Sequence, residues 1–150
     1  MEAIKWSEET LNNMLTEPSA ALVEDLKRLE GDIMVLGAGG KMGPDICVLA
    51  KKASVLGGSD RKIYAVSRFS DAAAAERLRS HGVTVIAADL MDANALQALP
   101  DCKNIIYMAG RKFGTNGTEY LTWGMNAWLP CMVAQRFRHS DIVVFSSGNL

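Results

Sequence analysis

This chain lacks most of what would mark a membrane, secreted or nucleic-acid-binding protein. No apolar run approaches the roughly 20 residues of a membrane-spanning helix. The opening stretch, MEAIKWSEET, has no apolar signal-peptide core, so a cytoplasmic protein without a membrane partner is the expectation. The formal net charge is -1, which gives no basic footprint for nucleic acid. Only three cysteines are present (Cys47, Cys102, Cys131), with no C-x-x-C spacing and neither histidine beside them. Buried free thiols are expected, and no metal site. The two histidines, His81 and His139, fall at or after expected helix ends and offer no catalytic base. There is no G-x-S-x-G hydrolase elbow, no internal repeat and no low-complexity linker.

What is present is an ordinary globular balance, 49% hydrophobic and 22% charged, over 150 residues. That is enough for one domain with a normal core. The most informative stretch is GDIMVLGAGGKMG, residues 31–43. An apolar run from Ile33 to Leu36 reads as a buried strand and ends in Gly37, Gly40 and Gly43. Apolar positions Ile46, Val48, Leu49 and Val55 then follow at helical spacing. Strand, glycine turn and helix place a helix N-terminus where it can receive a diphosphate. Gly37 permits the tight turn, Gly40 the approach of phosphate, and Gly43 close helix–strand packing. The register is G-x-x-G-x-x-G. Gly37 and Gly39 fit the commoner G-x-G-x-x-G, but Met42 occupies its third glycine position. A Walker loop fails because Lys41 is followed by Met42 instead of Ser or Thr.

The rest of the chain alternates strand and helix. Strands are expected at about 32–37, 62–66, 83–87, 104–108 and 142–146. Helices are expected at about 41–54, 71–80 and 92–98, with a longer one inside 118–138. Asp71 and Asp92 stand as N-caps, and Gly82 follows a helix end. The strands are short, β-branched and almost continuously apolar, as in strands buried on both faces. The expected fold is therefore α/β, a doubly wound parallel sheet of Rossmann type in the order 3-2-1-4-5. Residues 7–29 read as helical, with leucines at 11, 15, 22, 26 and 29 and a break at Pro18. The expected organisation is a helical N-terminal extension, 1–30, before a nucleotide-binding domain, 31–150.

In such sheets ligands lie beyond the carboxyl ends of the strands. No acidic residue ends strand 2 to grip a ribose 2′-OH; Ser67 and Arg68 stand there instead. Arg68 offers a planar cation for a 2′-phosphate, favouring NADP over NAD, or is simply an exposed loop arginine. Asp89, after strand 3, accepts from an adenine amino group or caps the following helix, with Leu90 beside it. After strand 4, Met108, Ala109 and Gly110 give a cofactor's ribose and phosphates room near the backbone. The loop RKFGTNGTEY borders a substrate site, and its Asn116-Gly117 also suits a plain turn. Ser146 and Ser147 end strand 5, where a hydroxyl would meet a substrate oxygen.

Together these residues resemble the N-terminal half of the extended short-chain dehydrogenase/reductases, the NAD(P)-dependent epimerase/dehydratase family. The matching pieces are GAGGKMG at 37–43, Ala88-Asp89-Leu90 with Asp92, Met108-Ala109-Gly110, Asn126 in WGMNAWLP, and VVFSSG at 143–148. The resemblance spans about 31–150 and implies NADP, or else NAD, as cofactor, with a small-molecule substrate and hydride transfer at a hydroxyl or carbonyl carbon. It assigns the pyrophosphate to Gly37, Gly39, Gly40, Lys41, Met42 and Gly43, and the adenosine to Ser67, Arg68, Asp89 and Leu90. Met108, Ala109 and Gly110 would follow the nicotinamide side, with Asn126 near the active site and Ser147 its catalytic hydroxyl. The family's Tyr-x-x-x-Lys pair is missing: Tyr64, Tyr107 and Tyr120 have no Lys four residues on. The expectation is thus a portion truncated after strand 5, able to bind NADP without turnover. A non-catalytic NADP-sensing module is the alternative. Family dimers pair through helices beside strands 4 and 5, where Trp123, Trp128 and Phe137 supply either such a surface or core.

Overall fold

The computed structural model of the chain describes residues 7–111 and 116–145. Five parallel strands form one sheet in the order β3-β2-β1-β4-β5. They are β1 (Ile33–Leu36), β2 (Ile63–Ser67), β3 (Thr84–Ala87), β4 (Asn104–Tyr107) and β5 (Asp141–Val144). The helices between them are α3 (Gly43–Leu56), α4 (Ala72–Ser80), α5 (Ala93–Gln97), α6 (Glu119–Trp123) and α7 (Leu129–Arg136). A π-helical turn, Gly124–Trp128, joins α6 to α7. Two further helices, α1 (Glu8–Leu15) and α2 (Ala20–Arg28), precede β1. This is the doubly wound, Rossmann-like α/β arrangement that the alternation predicts.

Strand periodicity divides the core between the two faces of the sheet. Ile33 and Val35 of β1 point with Ile63 and Ala65 toward α3, where Cys47, Val48 and Ala53 meet them. Met34 and Leu36 point the other way, with Ile105 and Tyr107, toward Leu129, Val133 and Phe137. Burial pushes the Cys47 thiol up to about 12, so it packs as a small apolar group. The apolar strand reading holds for β1, β2 and β4. The edge strands are more open: Val143, Val144 and Phe145 are 61%, 57% and 48% exposed. Each edge strand has a neighbour on one side only.

Local signals set the boundaries. Asp71 and Asp92 cap α4 and α5 by accepting amide hydrogen bonds from Ala73, and from Asn94 and Ala95. Gly82 has φ +74° just beyond α4. β1 stops one residue earlier than expected, because Gly37 turns the chain with φ +90°. Pro18 separates α1 from α2 as expected. Leu22, Leu26 and Leu29 join the core on the α3 face, while Leu11 and Leu15 of α1 stay about half exposed, at 47% and 51%. No helix among the described residues is long and apolar enough to cross a membrane.

Arg61 fastens α2 and the segment after it to the sheet. Its guanidinium is buried, with Nε donating to the Gly31 carbonyl at 2.7 Å and Nη2 to the Leu26 carbonyl at 3.1 Å and to that of Leu29. The cation thereby meets carbonyls at the C-terminal end of α2, where the helix dipole favours positive charge. Arg61→Met should cost about 3 kcal/mol, because it leaves those carbonyls without a charged donor in a buried setting. Urea unfolding measures this; a loss below about 1 kcal/mol would show that the staple contributes little.

Candidate functional site

A cavity of about 460 Å³ opens beyond the carboxyl ends of β1, β2, β3 and β4. It sits at the reversal of strand order, where β1 leads to β2 on one side and β4 adjoins on the other. Its volume is in the range of small-molecule sites.

The glycine loop forms one wall. The amides of Gly37 and Ala38 both donate to the Val66 carbonyl, at 2.9 and 3.1 Å, and that of Gly40 closes a turn onto Gly37 at 3.2 Å. These bonds tie the loop to the end of β2. The amides of Gly39, Lys41 and Met42 have no hydrogen-bond acceptor among the described residues. Met42 is the N-cap of α3 and supplies no side-chain acceptor, so the first turn of the helix is uncapped. An uncapped helix start beside unpaired amides is a place for an anion. Asp45, in that first turn, would oppose one, but Arg77 of α4 pairs with it at 2.7 Å.

The three expected glycines divide into two kinds. A Cβ on Gly37 would lie 2.6 Å from the Ala109 amide nitrogen, and one on Gly43 2.4 Å from the Ala38 carbonyl oxygen. The protein's own packing demands glycine at both. Gly40 differs: its φ is not positive, and a Cβ would meet only the Gly37 carbonyl at 3.6 Å. Gly40 nevertheless lines the cavity with Gly39, while Lys41 and Met42 are exposed outside the lining and Gly43 is buried.

Ser67 and Arg68 continue the lining from β2, followed by Phe69 and Ser70. Arg68 is exposed at this wall. From β3 come Ala88, Asp89 and Leu90. The Asp89 carboxylate accepts from the Met91 amide at 3.0 Å, an Asx turn that fixes it at the cavity wall. Asp92 takes the capping role, which leaves Asp89 at the cavity. From β4 come Met108, Ala109 and Gly110.

The far wall holds residues that sequence reasoning did not assign: Arg111, Leu121 and Met125. Arg111 belongs to the polar loop singled out above, but nothing in its local spacing distinguishes it. Asn126 is outside the cavity lining, although the resemblance implies a place for it at the cofactor. Its Oδ1 accepts from the Arg111 amide and its Nδ2 donates to the Arg111 carbonyl, both at 2.8 Å. Its amide group is thus spent on holding Arg111, whose Nη2 also donates to Thr118 Oγ1 at 3.1 Å. Asn126 lies in the π-helical turn, a distortion that has no simple sequence signature. Tyr107 donates its hydroxyl to the Met125 carbonyl in that turn at 3.3 Å. Burial pushes the Tyr107 hydroxyl up to about 12. Ser146 and Ser147 lie outside the described residues. The described residues contain no cluster able to hold a metal ion.

No family model matches the chain, and no curated protein matches it. Solved structures do. The Bordetella bronchiseptica enzyme WbmF in complex with NAD+ and UDP aligns with a TM-score of 0.55 at 17% identity, over 83% of this chain and 41% of WbmF. The chain thus spans less than half the length of that enzyme, and the likeness shows the fold. A structure described as cmcI-D160 Mg-SAM aligns at 17% identity over 69% of this chain and 44% of that one, with a TM-score of only 0.39.

Gly37→Ala and Gly43→Ala should each lower stability by about 2–4 kcal/mol, because a methyl group meets fixed backbone. Gly40→Ala should change it by less than about 0.5 kcal/mol. Denaturant midpoints of the three variants check this; equal losses would refute the division.

Proposed function

We propose that this chain is the dinucleotide-binding part of an oxidoreductase of the epimerase/dehydratase type, with NADP favoured and NAD the weaker ligand. The observation that carries the reading is the unpaired set of loop amides at an uncapped helix start, beside a cavity at the switch point. Gly39 and Gly40 would face the diphosphate, with Lys41, Met42 and Gly43 supplying the backbone that leads into α3. Ser67 and Arg68 would hold the adenosine ribose and its 2′-phosphate, Arg68 through its planar fork. Asp89 would accept from the adenine amino group, with Leu90 as an apolar wall. Met108, Ala109 and Gly110 would lie along the nicotinamide half, and Asn126 would fix that side through Arg111. NAD+ in WbmF, on a sheet of the same fold, supports a nicotinamide ligand.

A bound nicotinamide supplies hydride transfer to or from a hydroxyl or carbonyl carbon. The described residues contribute binding and orientation. Among those lining the cavity, Asp89 is the only carboxylate, and there is no Tyr, His or Lys to move a proton. The second reading is an NADP-sensing module without turnover. In the first reading Ser147 would hold the substrate oxygen of a small molecule.

The reading extends to setting and assembly. Three free thiols, one of them the exposed Cys131, suit a reducing cytoplasm. Tyr120, Trp123 and Trp128 are 69%, 73% and 61% exposed on α6 and the π-helical turn, and we propose this face as the contact of a homodimer. Phe137 is buried in the core instead.

Calorimetric titration of the chain with NADP and NAD tests the proposal. Wild type should bind NADP more tightly, and Arg68→Ala should weaken NADP by about tenfold while leaving NAD nearly unchanged. Equal loss for both ligands would remove Arg68 from the 2′-phosphate, and binding of neither would overturn the assignment.

A further inference from the structure

Phe69 has a positive φ, 46°, and no other non-glycine residue among those described does. A side chain held in that region stores strain which the surrounding structure must offset, and such strain gathers at functional sites. Phe69 lies in the turn that leaves β2, directly after Arg68, and it lines the switch-point cavity. Its ring is partly buried against the core on the α3 face. A Cβ placed on Gly39 would stand 2.5 Å from Ser67 Oγ and 3.8 Å from Cδ1 of the Phe69 ring. The space a side chain would take at Gly39 is therefore closed by the end of β2 and bordered by this ring. The strained residue is the same one whose ring borders the space beside Gly39.

We propose that Phe69 is a positioning residue that sets the spacing between the two anion-binding parts of the cavity. Its left-handed backbone seats the ring beside Gly39 and holds the glycine loop at a fixed distance from Ser67 and Arg68. The inference rests on the dinucleotide reading above. In that reading the loop amides take the diphosphate and Arg68 takes the 2′-phosphate, so their separation decides how well a 2′-phosphorylated dinucleotide fits both at once. Phe69 acts on the ligand through Gly39 and Arg68, and a ring at position 69 is what the role requires.

Three variants separate this role from a purely structural one. Phe69→Gly and Phe69→Ala both remove the ring, but only glycine relieves the left-handed backbone, so Phe69→Gly should melt at a higher temperature than Phe69→Ala. Both should nevertheless weaken NADP binding to the same extent, about tenfold, and narrow the preference for NADP over NAD. Phe69→Tyr keeps the ring and should bind as wild type does. Calorimetric titration of each purified chain with NADP and NAD, with thermal unfolding alongside, reads all of these. The proposal is overturned if Phe69→Gly or Phe69→Ala binds NADP within about twofold of wild type. It is overturned too if affinity simply follows melting temperature across the variants, if Phe69→Gly melts no higher than Phe69→Ala, or if Phe69→Tyr loses binding. A wild-type chain that binds neither dinucleotide overturns the dinucleotide reading itself, and this inference with it.

Discussion

Between Gly37 and the peptide joining Met108 to Ala109 there is no space for a side chain. The Met108 amide, donating to the Leu36 carbonyl at 2.8 Å, holds the end of β1 against the end of β4, while the Val66 carbonyl holds it against β2. The central strand is therefore pinned on both sides at the point where strand order reverses. Everything proposed for the cavity depends on this clamp, because it fixes where the loop amides and the start of α3 sit relative to the other strand ends.

Two kinds of support surround the clamp. On the β2 side Ser67 leaves no room for a side chain on Gly39, with the Phe69 ring bordering that space, and the Asp45–Arg77 pair removes an opposing charge from the first turn of α3. On the β4 side the support is polar. Tyr107 bonds a carbonyl of the π-helical turn, and Asn126 in that turn holds Arg111 by both backbone groups. Hydrogen bonds of this kind fix a loop residue without requiring it to be buried. The result is a cavity with a cation on each side, Arg68 and Arg111, and the glycine loop as a further wall.

Much of the arrangement was legible because it is written in short-range chemistry. Strand order followed from β-α alternation, capping from Asp71 and Asp92, and the turn from Gly37, each a local rule with a local cause. The strand-end residues Ser67, Arg68, Asp89, Leu90, Met108, Ala109 and Gly110 came together at one cavity because parallel strands align their carboxyl ends. What stayed hidden is non-local or irregular. The placement of Asn126 depends on a π-helical turn, which no periodicity announces. The place of Phe69 beside the glycine loop and that of Arg111 at the cavity depend on contacts between separate segments. The exposure of Leu11 and Leu15 depends on what α1 packs against, and helical spacing alone does not report that.

The central claim is that unpaired backbone amides of the glycine loop receive a dinucleotide's diphosphate. Amide NMR of the isotope-labelled chain, recorded as NADP is added, addresses it most directly. The account predicts that the largest shifts fall on Gly39, Lys41 and Met42, with smaller ones at Arg68 and Asp89. Saturable binding that leaves those loop amides unmoved and shifts residues elsewhere on the chain would contradict it.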